Sequence, residues 1–227
     1  MISVTAQWNP KQALLKELLS KPAQFNDAIQ LCLEMHALVH TSEMSGSQNR
    51  SLEDEVWDGL EETAFRTMPT AKDVTIAWNL WHLTRIEDLT ANILIANGQQ
   101  VLNDEWLKKM NVTVRDTGNA MSDEEIIALS LAMDMKAMRD YRIAVGRRTR
   151  EILKALQPND LKRKFTAVQL QRIMDEGGLL EVEGSKWLLD FWGKKTVAGI
   201  LQMPITRHQV VHINDSMKLK AKCGKRR

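Results

Sequence analysis

Two histidines near the end of the chain have a spacing that suits metal binding. His208 and His212 are separated by Gln-Val-Val, and the chain has five histidines in all. On a helix, side chains four positions apart project from one face about 5–6 Å apart, so both imidazoles could bind one ion. Leu201, Ile205 and Leu219 fall on the same apolar stripe, which predicts an inward-facing pair. The alternative interpretation is a polar surface pair or a hydrogen-bonded helix end.

A third imidazole, that of His82, lies on a separate amphipathic segment. Ile86 and Leu89 recur on its side of the predicted helix, at steps of three and four residues. If this helix packs beside the one carrying His208 and His212, three neutral imidazoles meet in the core, and coordination positions remain for water or substrate. We therefore predict these three histidines as the ligands of one metal ion. For His82 alone, the alternative is a hydrogen-bonded core histidine.

A second histidine pair, His36 and His40, has the same four-residue spacing. It competes for the metal-binding role, or could complete the site or line its mouth, and we predict both residues as part of the pocket. Glu87 follows His82 closely, and a carboxylate near a metal-bound imidazole often accepts the free N–H of the ring. The neighbouring Asp88 is predicted on a solvated face or as a partner four residues along the helix.

The elements that must position these residues are predicted to be helices. A hydrophobic content of 44%, with five prolines and eleven glycines in 227 residues, is typical of an all-α domain. Four principal helices with long connections predict a four-helix bundle with crossover connections and extra short helices. The principal helices are expected at 25–42, about 70–96, 122–156 and 196–218, and shorter ones at 9–19, 51–60, 104–110 and between 160 and 185.

The ends of several helices are marked by capping residues and prolines. Pro10 is expected in the first turn of the first short helix, and Thr70 or Asp73 is expected to cap the helix of His82. Pro204 either kinks the final helix or lies in its first turn. Residues 1–218 are predicted to form one domain, and residues 219–227, which are rich in lysine and arginine, a flexible basic tail.

Several classes of protein are excluded by missing patterns. Two cysteines far apart, Cys32 and Cys223, give no disulfide framework and suit a reducing cytoplasm. No window approaches the roughly 20 apolar residues of a membrane span, and no signal segment opens the chain. The sequence has no glycine-rich phosphate loop, serine nucleophile elbow, paired-cysteine zinc pattern or HExxH motif. Any chemistry therefore depends on the histidines of a cytoplasmic protein.

Three features together resemble the DinB-like superfamily of damage-inducible bacterial proteins: the segment from His82 to Asp88, the order of the bundle helices, and the late pair His208 and His212. The resemblance implies a divalent metal, nickel or zinc and in some branches iron, held by the three histidines, and it implies a homodimer. The chain departs from the usual pattern after the last ligand, where Ile213-Asn-Asp215 replaces a histidine and Arg-Gly-Gln.

Members of that superfamily include transferases and isomerases that use low-molecular-weight thiols, and the iron-binding domain of ergothioneine-synthesising enzymes. The first hypothesis is thus a metal-dependent enzyme that activates a thiol or a water molecule and acts on a small-molecule substrate, as a thiol S-transferase or hydrolase. The second is a non-catalytic metal-binding bundle of the stress response. Nucleic-acid binding by the basic tail is a third and less favoured hypothesis, which steep salt dependence would reveal.

Overall fold

The computed structural model describes residues 4–224 and is all-α, as predicted. The described part of the chain also contains two 3-10 turns, Pro22–Gln24 and Pro158–Lys162, two π-helical segments, Leu89–Ile95 and Met203–Arg207, and an isolated bridge between Lys164 and Thr196. The α-helices are α1 (Val4–Leu19), α2 (Phe25–Leu38), α3 (Ser42–Ser45), α4 (Leu52–Trp57), α5 (Glu62–Arg66), α6 (Ile76–Asp88), α7 (Asp104–Met110), α8 (Asp123–Ala132), α9 (Met135–Ala155), α10 (Ala167–Asp175), α11 (Glu183–Gly193), α12 (Val197–Gln202) and α13 (His208–Gly224).

Helix α6 is the centre of the bundle. All of its residues except Trp78 are buried, and it continues without a break into π-helical turns at Leu89–Ile95 that are buried throughout. The helix begins where the Thr75 side chain accepts a hydrogen bond from the Trp78 amide, so the predicted cap at Thr70 or Asp73 was placed too early. Helices α9 and α13 pack along α6. The contact between α6 and α13 brings His82 close to His208 and His212.

The predicted helix at 122–156 is two helices. The first is opened by a capping box between Ser122 and Glu125. The chain then leaves helical geometry at Met133, and the Asp134 side chain caps α9 by accepting from the Ala137 amide. The prediction failed here because apolar periodicity continues across the break, while one aspartate supplies the local hydrogen bond that starts a new helix.

The C-terminal helix also departs from its predicted form. The helix begins near residue 196 as expected, with Thr196 capping α12, but π-helical turns at Met203–Arg207 contain Pro204 and separate α12 from α13. A proline lacks the N–H that a regular helix needs, and a wider turn accommodates it. Helix α13 then runs to Gly224, so residues 219–224 are helical rather than a separate tail. Residues 225–227 lie outside the described residues.

Smaller corrections concern the N-terminal part. Helix α1 begins at Val4, so Pro10 lies inside it rather than in its first turn. The helix predicted to reach residue 42 ends at Leu38, after which Thr41 caps the short α3. A capping box at Ser51 opens α4 within the range 51–60 where a short helix was predicted. None of the described helices combines the length and the apolar character that crossing a membrane requires.

Candidate metal centre

The structure brings His82, His208 and His212 together where α6 meets α13. The ring centroid of His82 lies 5.2 Å from that of His208 and 4.9 Å from that of His212. The ring centroids of His208 and His212 are 4.5 Å apart. One ring nitrogen of each residue lies within 4.8 Å of the corresponding nitrogens of the other two. The three histidines could therefore hold a metal ion.

Hydrogen bonds fix the tautomer of two of these rings. His82 Nδ1 lies 2.7 Å from the carbonyl oxygen of Thr117, and His212 Nδ1 lies 2.8 Å from Oδ1 of Asn79. Each Nδ1–H donates to its oxygen, so the lone pair of each neutral ring is on Nε2 and available to a ligand. His208 Nδ1 is buried without a hydrogen-bond partner. The hydrogen bonds of His82 and His212 fit a metal centre, whose imidazoles usually donate their second N–H to an oxygen of the protein.

The electrostatics of the site keep the rings uncharged. Burial lowers the pKa of His82 to about 3, with a smaller contribution from His212, and lowers the pKa of His212 to about 4. Burial also holds the pKa of His208 well below its ordinary value, and the neighbouring His212 and His82 add to the effect. At neutral pH all three imidazoles are therefore free bases, the form that binds metals.

Acid should destabilise the metal-free protein through these rings. The folded pKa of His82 and of His212 lies below the ordinary value of about 6.5, so below pH 6.5 the unfolded chain binds protons that the folded chain does not. The free energy of unfolding should then fall as pH falls from about 6.5 to about 4. Urea titrations of chelator-treated protein across this range measure the slope. A His82→Gln/His212→Gln variant should show a shallower slope, and an unchanged slope would contradict the assignment.

A surface hollow of about 340 Å³ reaches the site at His212. Trp78 lines it and stacks on His82 with ring centroids 4.7 Å apart and an angle of 7° between the planes. Three lysines and two aspartates surround the hollow, namely Lys72, Lys218, Lys222, Asp73 and Asp215. The triad is thus enclosed on the α6 side, where His82 is 4% exposed, and accessible on the α13 side, where the other two histidines are half-buried.

Asn79 should matter for metal affinity although it does not face the ion. Asn79→Ala removes the acceptor that fixes the His212 ring, and the loss of such a partner typically lowers metal affinity about 10–100-fold. Competition with a coloured chelator measures the change. Asn214→Ala, on the same helix as His212 but outside the hollow, should leave affinity unchanged. Equal affinities in the two variants would show that Asn79 does not orient the ring.

The structure places His36, His40 and Glu87 in a second, separate cluster. His36 Nε2 and His40 Nε2 lie 2.8 Å from Oε1 and Oε2 of Glu87, respectively, and all three side chains are fully buried. The predicted role of Glu87 as acceptor for His82 was therefore wrong, because the Thr117 carbonyl takes that place. Neither His36 nor His40 lines the surface hollow that reaches the triad at His212. This cluster could also hold a metal ion.

A buried polar chain that the sequence did not reveal joins the two clusters. Glu53 Oε1 pairs with Arg142 Nε at 2.8 Å, and Arg142 donates to Gln209 Oε1 at 3.1 Å. Gln209 is adjacent to His208, while Glu53 Oε2 lies 4.0 Å from His40 Nδ1. Glu53 is on a short helix and Arg142 within a run of surface-like charges, and neither position carries a local signal of burial.

Gly146 on α9 makes room for His40. A Cβ at this position would lie 2.7 Å from His40 Nδ1 and 2.8 Å from Met44 Cγ. Gly146→Ala should therefore destabilise the fold by about 1–3 kcal/mol through overpacking, although alanine is the better helix former by about 1 kcal/mol. Urea unfolding measures the change. Gly184→Ala, whose new Cβ meets nothing closer than 3.6 Å, is the matched control, and equal effects of the two changes would contradict the close packing.

Asp88 is the other residue that the sequence misplaced. The solvated face predicted for it was wrong, because it is fully buried in the core of α6. The alternative, a partner four residues along the helix, is confirmed by Asn92. The Asp88 carboxylate accepts hydrogen bonds from Arg85 Nη1 (2.9 Å), Tyr141 OH (2.7 Å), Asn92 Nδ2 (2.8 Å) and the amides of Val101 (2.8 Å) and Leu102 (3.0 Å). Asp88 thus fixes the loop after the π-helical turns to α6 and α9.

Comparison with known families agrees with the geometry. The model of the DinB superfamily matches residues 47–215, a range that includes all three histidines of the triad and begins after the pair His36 and His40. No curated protein matches the sequence.

Proposed function

The chain belongs to the DinB superfamily, and from this we propose that it is a metal-dependent enzyme that activates a thiol or a water molecule. Its ligands would be His82, His208 and His212, and the ion nickel or zinc, with iron as the alternative. The reaction would be that of a thiol S-transferase or a hydrolase acting on a small molecule.

The observation that carries the proposal is the convergence of three neutral imidazoles, two of them held in the tautomer that presents Nε2. Catalytic sites commonly supply three protein ligands and leave a further position for water or substrate. No fourth histidine, cysteine or carboxylate joins this group in the described part of the chain. His40 and Glu87, which could have closed the site, bind each other instead.

A divalent ion at this position would lower the pKa of a bound thiol or water and supply a nucleophile near neutral pH. The protein's own residues orient and shield the site. Thr117 and Asn79 hold two of the rings, and Trp78 covers the face of His82. Lys218 and Lys222 pair with Asp215 and Asp73, and Lys72 adds one positive charge to the hollow, which favours an anionic substrate or thiol.

A thiol-transfer assay tests the proposal. Protein purified without an affinity tag and reconstituted with nickel or zinc is given a panel of low-molecular-weight thiols with an electrophile, and ester substrates in a parallel series. We expect turnover that is lost in His208→Ala and retained in Asn214→Ala. Metal binding without turnover in any series would instead support the second hypothesis, a non-catalytic metal-binding bundle of the stress response.

Two further features belong to the proposal. We expect a homodimer, as is common in the superfamily, and light scattering combined with size-exclusion chromatography would measure twice the mass of one chain. We also expect a cytoplasmic protein, because the two cysteines of the sequence, Cys32 and Cys223, are too few and too far apart to form a disulfide framework.

A further inference from the structure

We propose that His36, His40 and Glu87 form a second metal site, enclosed in the core and independent of the triad. Its occupant would be a first-row divalent transition metal ion. Two imidazole nitrogens and one carboxylate are a donor set that such ions bind, as iron does in two-histidine, one-carboxylate sites and zinc in some hydrolases.

The geometry of the cluster is close to that of a coordinated ion. The two Nε2 atoms approach different oxygens of one carboxylate, each at 2.8 Å, and the imidazole centroids lie 4.2 Å apart. For metal–ligand bonds of about 2.1 Å, neighbouring ligand atoms are about 3.0 Å apart in six-coordinate geometry and about 3.4 Å apart in four-coordinate geometry. The two nitrogen–oxygen distances are therefore within a few tenths of an ångström of the value for six-coordinate geometry.

Unpartnered buried atoms provide a second, independent observation. Without an ion, each Nε2–H donates to Glu87, so each Nδ1 carries a lone pair. His36 Nδ1, His40 Nδ1 and Glu53 Oε2 are all buried without a hydrogen-bond partner. Such atoms are uncommon in folded proteins because each costs free energy.

An ion would resolve two of these three unpartnered atoms. When Nε2 of His40 binds a metal, its ring proton moves to Nδ1, which faces Glu53 Oε2 at 4.0 Å. An approach of about 1 Å then makes a hydrogen bond between an imidazole on the metal and a carboxylate, the usual support of metal-bound histidine. His36 Nδ1 has no hydrogen-bond partner with or without the ion, so the ion would supply a new hydrogen bond only between His40 and Glu53.

The charges of the cluster also favour a cation. Two carboxylates, Glu53 and Glu87, are buried here, and one guanidinium, that of Arg142, pairs with Glu53 at 2.8 Å. With neutral imidazoles one negative charge remains without compensation, and a buried charge of this kind is costly. Either a metal ion or a proton shared by the histidines and Glu87 could offset it, and the two cases differ in the metal content of the protein.

The position of the site assigns it a structural role. His36 is on α2 and His40 follows that helix, whereas Glu87 is on α6. The ion would thus join the segment that precedes the matched range 47–215 to the central helix. All three side chains are inaccessible to solvent, so the ion would enter as the chain folds.

Cobalt content tests the site apart from the triad. The full chain and a His208→Ala/His212→Ala variant are produced in medium supplemented with Co²⁺, purified without an affinity tag, and analysed for cobalt per chain and for visible absorption. We expect about two ions per chain in the unsubstituted protein and about one in the variant. The visible absorption bands of bound Co²⁺ should remain in the variant.

Two substitutions in that background locate the remaining ion. Glu87→Gln should release it, and Glu34→Gln, on the exposed side of α2, should retain it. Circular dichroism checks that each variant folds, and His40→Gln replaces Glu87→Gln if the latter does not. Absence of cobalt from the His208→Ala/His212→Ala variant would overturn the second site and leave a proton in its place. If the triad alone failed to bind metal, the unsubstituted protein would hold one ion per chain, and the His208→Ala/His212→Ala variant would hold one ion as well.

Discussion

Replacing Asp88 by alanine is expected to lower the free energy of unfolding by about 3–5 kcal/mol. The substitution leaves the fully buried guanidinium of Arg85 without its carboxylate, and it removes the acceptor of the Tyr141 hydroxyl and of two backbone amides. A buried charge that loses its only ionic partner keeps its desolvation cost, which makes such truncations among the most destabilising.

Urea unfolding followed by circular dichroism measures this effect. Tyr141→Phe removes one hydrogen bond to the same carboxylate and should cost a smaller amount, about 1.5–3 kcal/mol for a bond to a charged group. Asp140→Ala is the matched control, because its carboxylate is 41% exposed and pairs with a solvated lysine, and it should change stability by less than about 0.5 kcal/mol. A loss below about 1 kcal/mol in Asp88→Ala would contradict the central role of Asp88.

The second large effect concerns metal affinity. His82→Ala and His208→Ala should each weaken binding at the triad by more than about 10²-fold, since removal of a residue that only supports a ligand already costs about 10–100-fold. Zinc affinity is measured in competition with a coloured chelator. The measurement is made in a Glu87→Gln background so that the second cluster does not contribute.

Asn214→Ala serves as the control for these affinity measurements and should bind like the parent protein. A change of less than about threefold in His82→Ala would mean that the ring of His82 does not bind the ion. In that case the stacked arrangement of Trp78 and His82 would be a packing feature of α6 alone.

Much of the triad could be predicted from spacing. Residues four apart on a helix share a face, and this relation gave His208 and His212, while the buried stripe around His82 placed it inward. The contact between α6 and α13 followed from the expected bundle. The π-helical turns at Met203–Arg207 could not be predicted because no side-chain periodicity distinguishes them from a kink at Pro204.

The misplacement of Glu87 has a simple geometric reason. Residues five apart on an α-helix are rotated by about 140°, so Glu87 points away from His82 and toward α2. Spacing alone could therefore have excluded it as a partner of His82. Asp88 is different, because its burial also depends on Tyr141 and the loop at Val101, which are long-range partners that a single sequence does not identify.

The most direct test of the three-histidine site is anomalous diffraction from crystals of zinc-loaded protein, recorded on both sides of the zinc absorption edge. We predict a peak between the rings of His82, His208 and His212, about 2.0–2.1 Å from one nitrogen of each. The predicted nitrogens are Nε2 for His82 and His212, whose Nδ1 atoms remain bonded to Thr117 and Asn79. No peak at that position, with the three rings still in contact, would contradict the proposed metal centre.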